Sequence, residues 1–306
     1  MKHRLTITGL IIILITLLLV PFSTTTAQQT TPSRAIVRTD FQFIRQGRVG
    51  VVHVTGADII EVRAVFQERV HYFYQEGNDF VGLLAADMES DIAPYEMQLW
   101  IKYADGTGER IDQDIQVESG EFGRSDVTIS QRLVPLLDQK VEDAEMARLF
   151  NILNRFTPER YWANSWFIAP STDEPIGWFG TYRLFNETYW KRHTGVDVRM
   201  AIGTPIMAMA DGRVMLTEMM DIRGNYTLID HGWGIYSGYA HQSEFLVVPG
   251  QWVRQGDVIG LSGLNGRSAG AHLHWEMSVA GTWIDPETFV EMKLVTPDST
   301  EIVEQP

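Results

Sequence analysis

In "GAHLHWEM", residues 270–277, two imidazoles and a carboxylate alternate with apolar side chains. Successive side chains of a strand point to opposite faces, so an extended backbone carries His272, His274 and Glu276 on one side of a sheet. Such a row is either half of a chemical site or a solvated polar face, and the rest of the chain has to decide. Five of the eight histidines, His193, His231, His241, His272 and His274, fall in the same part of the sequence. In "HTGVD", 193–197, His193 and Asp197 are four apart and share a face if the segment is extended, with Gly195 removing bulk between them. A nitrogen donor, a carboxylate and one further histidine make the three protein ligands of a catalytic zinc site, which keeps its fourth tetrahedral position for water.

Around these motifs short β runs alternate with glycine turns from Trp178 to about Val290, so this region reads as nearly all β. Upstream, Tyr95, Met97, Leu99, Ile101 and Tyr103 interleave with Glu96, Gln98 and Lys102, and Asp105-Gly106 turns that strand into a hairpin. Several such runs over 35–119 predict an immunoglobulin-like β-sandwich. His53 and His71 stand alone there and read as structural. Met146, Leu149, Phe150 and Leu153 follow the i, i+3, i+4, i+7 spacing of one helical face. They predict a helix over about 141–154, ended by Thr157-Pro158, within a linker spanning 120–170. The expected organisation is a mainly β protein: sandwich, short helical bridge, second β domain over 171–292, and a polar, disordered tail over 293–306.

The chain has 306 residues, 44% of them hydrophobic and 21% charged, as in ordinary globular proteins. Lys2, His3 and Arg4 precede an apolar run from Leu10 to Val20 and then Thr25-Thr26-Ala27, the pattern of a secretory signal peptide over 1–27. The other reading is a retained anchor, although the run is short of the ~20 residues that span a bilayer. The absence of cysteine excludes disulfides, thiolate metal sites and cysteine nucleophiles. A formal net charge of -14, more negative still without Lys2 and Arg4, argues against nucleic acid or anionic lipid as a partner.

"HTGVD" (193–197), "GNYTLIDHG" (224–232), "YAH" (239–241), "VRQGDVIG" (253–260) and "GRSAGAHLHWE" (266–276) resemble, in order, the successive blocks of the lysostaphin-like (LytM-type) zinc metallopeptidases, the peptidoglycan endopeptidase family. The resemblance covers about Trp178 to Val290. It implies the antiparallel sheet of the duplicated hybrid motif, one Zn2+ per chain held by His193, Asp197 and His274, and a catalytic pair His241 and His272. It also implies a substrate class, the peptides of bacterial peptidoglycan. Ala269 and Trp275 stand where threonine and phenylalanine are common, and bear on groove shape. Tyr189 and Trp190 are candidate groove contacts or buried packing. His231 reads as a turn residue, Glu276 as a hydrogen-bond partner for a ligand imidazole or a plain edge glutamate, and Arg183 as a substrate contact or an ion-pair partner.

The resulting expectation is a secreted or envelope-associated monomer that hydrolyses peptide bonds in peptidoglycan stems or cross-bridges, with metal-activated water and two histidines moving protons. The H-E-x-x-H motif, whose glutamate serves as base elsewhere, is absent. The alternatives are a non-enzymatic envelope scaffold of the same fold and a wall-binding module with a structural zinc.

Overall fold

The structure, a computed structural model, describes residues 33–162 and 166–292. The leader and the tail expected over 293–306 lie outside the described residues. Among those described, no helix is long and apolar enough to cross a membrane.

The first part contains β1 (Ala35–Thr39), β2 (Ile44–Arg45), β3 (Val49–Gly56), β4 (Ile59–Phe66), β5 (Arg69–Glu76), β6 (Asp79–Ala85), β7 (Pro94–Tyr103) and β8 (Gly108–Glu118). They pair in the order β1-β3-β6-β5-β4-β7-β8-β2. β5 serves both halves of this order: Arg69 to Tyr72 pair with β4, and Phe73 to Glu76 pair with β6. The strand thus passes from one layer to the other, and Val52, Val54 and Leu84 of one layer are buried against Met97, Leu99, Ile101 and Val117 of the other. Alternation along β7 explains its share, because Met97, Leu99, Ile101 and Tyr103 are all buried. With β1-β3-β6-β5 on one side and β4-β7-β8 on the other, the strand order is that of the A-B-E-D and C-F-G sheets of an immunoglobulin sandwich.

The connecting segment forms β9 (Arg124–Val127), a 3-10 turn over Gln131–Leu137 and α1 (Gln139–Leu153). Asp138 caps α1 by accepting from Lys140 N at 2.9 Å. The helix stops at Asn154, before Thr157-Pro158 is reached. Its buried stripe contains Leu149 and Leu153 as the spacing predicts, but also Glu145.

Next come β10 (Pro175–Gly177), β11 (Tyr182–Phe185), β12 (Tyr189–Arg192), β13 (Gly195–Val198), β14 (Pro205–Met207), β15 (Gly212–Met220), β16 (Gly224–Asp230), β17 (Ile235–Phe245), β18 (Trp252–Val253), β19 (Val258–Ser262), β20 (Leu273–Val279), β21 (Thr282–Ile284) and α2 (Pro286–Met292). β10-β13-β20-β17-β16-β15-β18 form an antiparallel sheet, with β19 attached to β17, β14 to β19 and β21 to β20. A separate three-stranded sheet, β12-β11-β9, joins the connecting segment to this domain through a parallel β9·β11 pairing. The molecule is therefore mainly β, as the patterning predicts.

Candidate metal centre

β13 and β20 lie side by side in the register that places Asp197 opposite His274. Two side chains 77 residues apart in the sequence are thus direct cross-strand neighbours on one face. The close approach depends on Gly195, since a Cβ there would lie 2.2 Å from the Trp275 carbonyl oxygen. His193 sits just ahead of β13, with its backbone N–H donated to Thr181 at 3.0 Å and its carbonyl accepting from Gly180 N at 2.8 Å.

All three side chains are buried. His193 Nε2 lies 2.9 Å from His274 Nδ1 and 3.0 Å from Asp197 Oδ1, and His274 Nδ1 lies 2.9 Å from the same oxygen. The outer ring nitrogens define the tautomers. His193 Nδ1 lies 2.9 Å from Trp178 O, which only accepts, and 3.0 Å from Arg183 Nη2, which only donates; with Arg183 bonded at the shorter 2.7 Å to Asp197 Oδ2, the carbonyl assigns Nδ1 the proton. His274 Nε2 faces the Glu276 carboxylate at 3.1 Å and carries one too. In the neutral rings both inner nitrogens are then lone pairs, aimed with a carboxylate oxygen at one point.

Such a triangle calls for a positive charge. Burial works against a charged His274, yet Glu276 and Asp197 together raise its pKa. Burial likewise opposes the charge on Asp197, but the neighbouring His193 first, then His272 and His274, hold its carboxyl well below the usual range. His193, mainly through burial, falls to about 4 and stays neutral. Two imidazoles and one carboxylate are the donor set of an open zinc site, in which ligand atoms stand roughly 3.3 Å apart around a tetrahedron of ~2.0–2.2 Å bonds. These three residues could hold such an ion.

His241 and His272 flank the triangle with ring centroids 4.6 Å apart. His241 lies in β17 where the pairing register shifts, and its φ of 59° is in the left-handed region. This bulge turns its side chain toward the site. Its Nδ1 donates to Asn265 O at 2.7 Å, and His272 Nδ1 donates to Gly270 O at 2.7 Å, so a neutral ring at either position carries its lone pair on Nε2. His272 Nε2 is 3.4 Å from Asp197 Oδ1. Burial first, then the neighbouring His272 and His274, push the His241 pKa well down.

The other expected residues separate cleanly. Arg183 is an ion-pair partner, donating to Asp197 Oδ2 at 2.7 Å. Glu276 holds His274 and is itself held at both oxygens by the buried Arg223, at 2.8 and 2.6 Å. His231 is buried apart from the site between Asp211 O and Ser237 Oγ. Trp275 faces the core, where its indole N–H meets Met209 Sδ, because its parity on β20 is opposite to that of His274. It does not shape the groove. Tyr189 bonds Gln139, and Trp190 stacks on Tyr182, so neither lines the cleft, whereas Ala269 does.

Sequence reading missed Glu145. Its carboxylate accepts from Ile222 N at 2.9 Å, Arg223 N at 3.3 Å and Arg223 Nη1 at 2.8 Å, so α1 is connected through Arg223 and Glu276 to His274. The signal was present: Glu145 shares the helical stripe of Leu149 and Leu153, where a charge needs a partner.

Residues 191–286 match the family model described as Peptidase family M23. This part of the chain is an M23 peptidase domain. The M23 domain is 46% identical over 89 residues to the peptidoglycan DD-endopeptidase ShyA of Vibrio cholerae, a match covering 29% of this chain and 21% of that protein. The chain is 40% identical over 112 residues to the DD-carboxypeptidase/endopeptidase Mpg of Neisseria meningitidis, covering 37% of this chain and 25% of that protein. The chain thus matches only about a quarter or less of these relatives' own length. A crystal structure from Pseudomonas aeruginosa assigned to peptidase M23 superposes with a TM-score of 0.59 at 25% identity, covering 80% of this chain and 93% of that one. The likeness in fold therefore extends well beyond the M23 domain.

Proposed function

We propose that the protein is a zinc-dependent endopeptidase that hydrolyses peptide bonds in peptidoglycan outside the cytoplasm. The observation that carries this reading is the convergence of two imidazole lone pairs and a carboxylate, with two further histidines beside them, each held through Nδ1 by a backbone carbonyl. Zinc bound by His193, Asp197 and His274 would supply a Lewis acid and lower the pKa of a water at its open position. The chain's own residues supply the rest. His241 and His272 are each anchored through Nδ1 to a backbone carbonyl, which presents Nε2 to the reacting centre. One imidazole takes a proton on its lone-pair Nε2, while the other, protonated on both ring nitrogens, donates from Nε2 to the developing oxyanion. Arg183 on Asp197 and Glu276 on His274 keep the ligand atoms aimed. The names of the relatives support peptidoglycan as the substrate and the envelope as the site of action.

The test is digestion of purified sacculi, with products read by mass spectrometry and a zinc-stripped sample as control. New amino groups within the peptide that disappear on chelation are the expected result. Severance between peptide and sugar acid would make the protein an amidase. No metal-dependent release from walls of several bridge types would leave the non-enzymatic scaffold.

A further inference from the structure

One wall of the cleft beside the metal centre comes from outside the M23 domain. The cleft, about 770 Å³, is lined by Gly123, Arg124, Ser125, Asp126 and Val127 in succession. A strand that offers a face to a cavity contributes alternate residues. Five in a row mean that the cleft runs along an edge. β9 has one neighbour, β11, and the carbonyls of Gly123 and Val127 are committed to it, accepting from Tyr182 N and Asn186 N at 2.9 Å each. The two-residue period of the strand turns the N–H and C=O of Arg124 and Asp126 the other way. Among the described residues these outward groups have no backbone partner.

A free edge of this kind is a template for another strand, and proteins usually blunt it with a covering element. Here it is left open inside the cleft that leads to His193, Asp197 and His274. Charge adds a second indication. In a chain of net charge -14, the cleft carries exposed Arg124 and Arg199, neither of which has an acidic partner among the described residues. Arg199 is two residues beyond Asp197 and lines the same cleft.

We propose that β9 is the docking edge for substrate: an extended peptide bearing free carboxylates lies along it as an added strand, and Arg124 and Arg199 receive those carboxylates. Main-chain bonds to Arg124 and Asp126 supply affinity that tolerates varied side chains, and the two guanidiniums supply selection. The identity of the bond broken rests on the peptidase reading above. The docking edge does not, because binding is measured separately from turnover.

The experiment uses the full chain, zinc-stripped to prevent turnover, and calorimetric titration with peptide dimers purified from sacculi, intact or with their carboxyls amidated. Asp126→Pro removes one outward N–H at a position where an edge strand tolerates proline, and Asp126→Asn keeps that N–H while removing the charge. The expected result is about tenfold weaker binding for Asp126→Pro, the scale of one lost hydrogen bond, and little change for Asp126→Asn. Arg124→Gln and Arg199→Gln should each cut the preference for intact over amidated peptide by roughly threefold or more. Peptides methylated on successive backbone nitrogens give the same reading if the proline variant fails to fold. Equal binding by all four variants, or no binding of these peptides by the unaltered chain, overturns the proposal. Binding that follows the expected pattern without any cleavage by the zinc-loaded protein would keep the docking edge and discard the peptidase reading. Cleavage with binding indifferent to the variants would do the reverse.

Discussion

Four histidines at the site are distinguished by what each does with its outer nitrogen. His193, His241 and His272 give a proton to a backbone carbonyl, while His274 gives one to Glu276. From this difference follows the first prediction. Asp197→Ala and His274→Ala should abolish stoichiometric zinc in purified protein, whereas His241→Ala and His272→Ala should retain it and lose turnover by about 10² or more. Metal analysis beside rate measurement checks this, and loss of zinc from the His241 variant would remove that residue from its assigned role. A second prediction concerns histidines remote from the site. Burial lowers the pKa of His71 and of His231 to about 4 each, and His71 Nε2 has no hydrogen-bond partner among the described residues. The folded state therefore prefers the neutral rings, and their contribution to stability is complete above the ordinary value of ~6.5 and is lost as pH falls from there to about 4. Each is worth at most ~3 kcal/mol over that interval. Melting temperature against pH should fall across it, and more gently in His71→Asn, whose amide can still donate to Leu83 O. An unchanged slope would contradict this account. The resemblance of the H-x-x-x-D and H-x-H blocks to those of the family pointed to His193, Asp197 and His274 in the sequence. The carbonyls that fix the tautomers, Trp178 O, Asn265 O and Gly270 O, were not legible there, because backbone oxygens carry no residue signature.

At the level of elements, the centre is a register effect between β13 and β20 supported from behind by α1. The third prediction concerns the first of these. Gly195→Ala drives a methyl group into the Trp275 carbonyl, so the two strands must separate where they carry Asp197 and His274. We expect a loss of about 1–3 kcal/mol in stability together with weakened zinc binding. Full zinc affinity in a folded Gly195→Ala protein would mean that the register is not what assembles the site. The fourth prediction concerns Glu145, which lies outside residues 191–286. Removing its carboxylate in Glu145→Ala leaves Arg223 with Glu276 alone and frees three donors. Zinc affinity, measured by competition with a chromophoric chelator, should weaken by roughly 10–100-fold, with Glu145→Gln intermediate. A fall in melting temperature with unaltered zinc affinity would reduce Glu145 to a packing role. Strand alternation and glycine turns made the β elements readable. The parallel pairing of β9 with β11 was not, since both are short and no local pattern connects residues on either side of the helix.

Across the whole molecule, sandwich and M23 domain are joined by more than a covalent thread. Tyr74 of β5 stacks on Trp233 with centroids 3.9 Å apart and planes 10° from parallel. Val51, Val81, Leu83 and Met88 belong to the same buried cluster as Leu149, Trp162, Tyr236 and Met277. Thermal unfolding of the chain should accordingly show one cooperative transition, and an excised 191–286 segment should be aggregation-prone, having lost both this cover and Glu145. Two well-separated calorimetric transitions would refute that. Composition and periodicity pointed to two β regions and a helix between them. The shared core could not be foreseen, because residues such as Tyr74 and Trp233 look like ordinary apolar positions of their own strands and turns. Its consequence is mechanical. A catalytic head on a slack tether searches a volume, and its local concentration depends on tether length. With Tyr74 seated on Trp233 there is no such swing, so the cleft keeps a constant bearing and offset from every surface of the sandwich, and whatever grips the sandwich also sets the direction from which a bond must be presented.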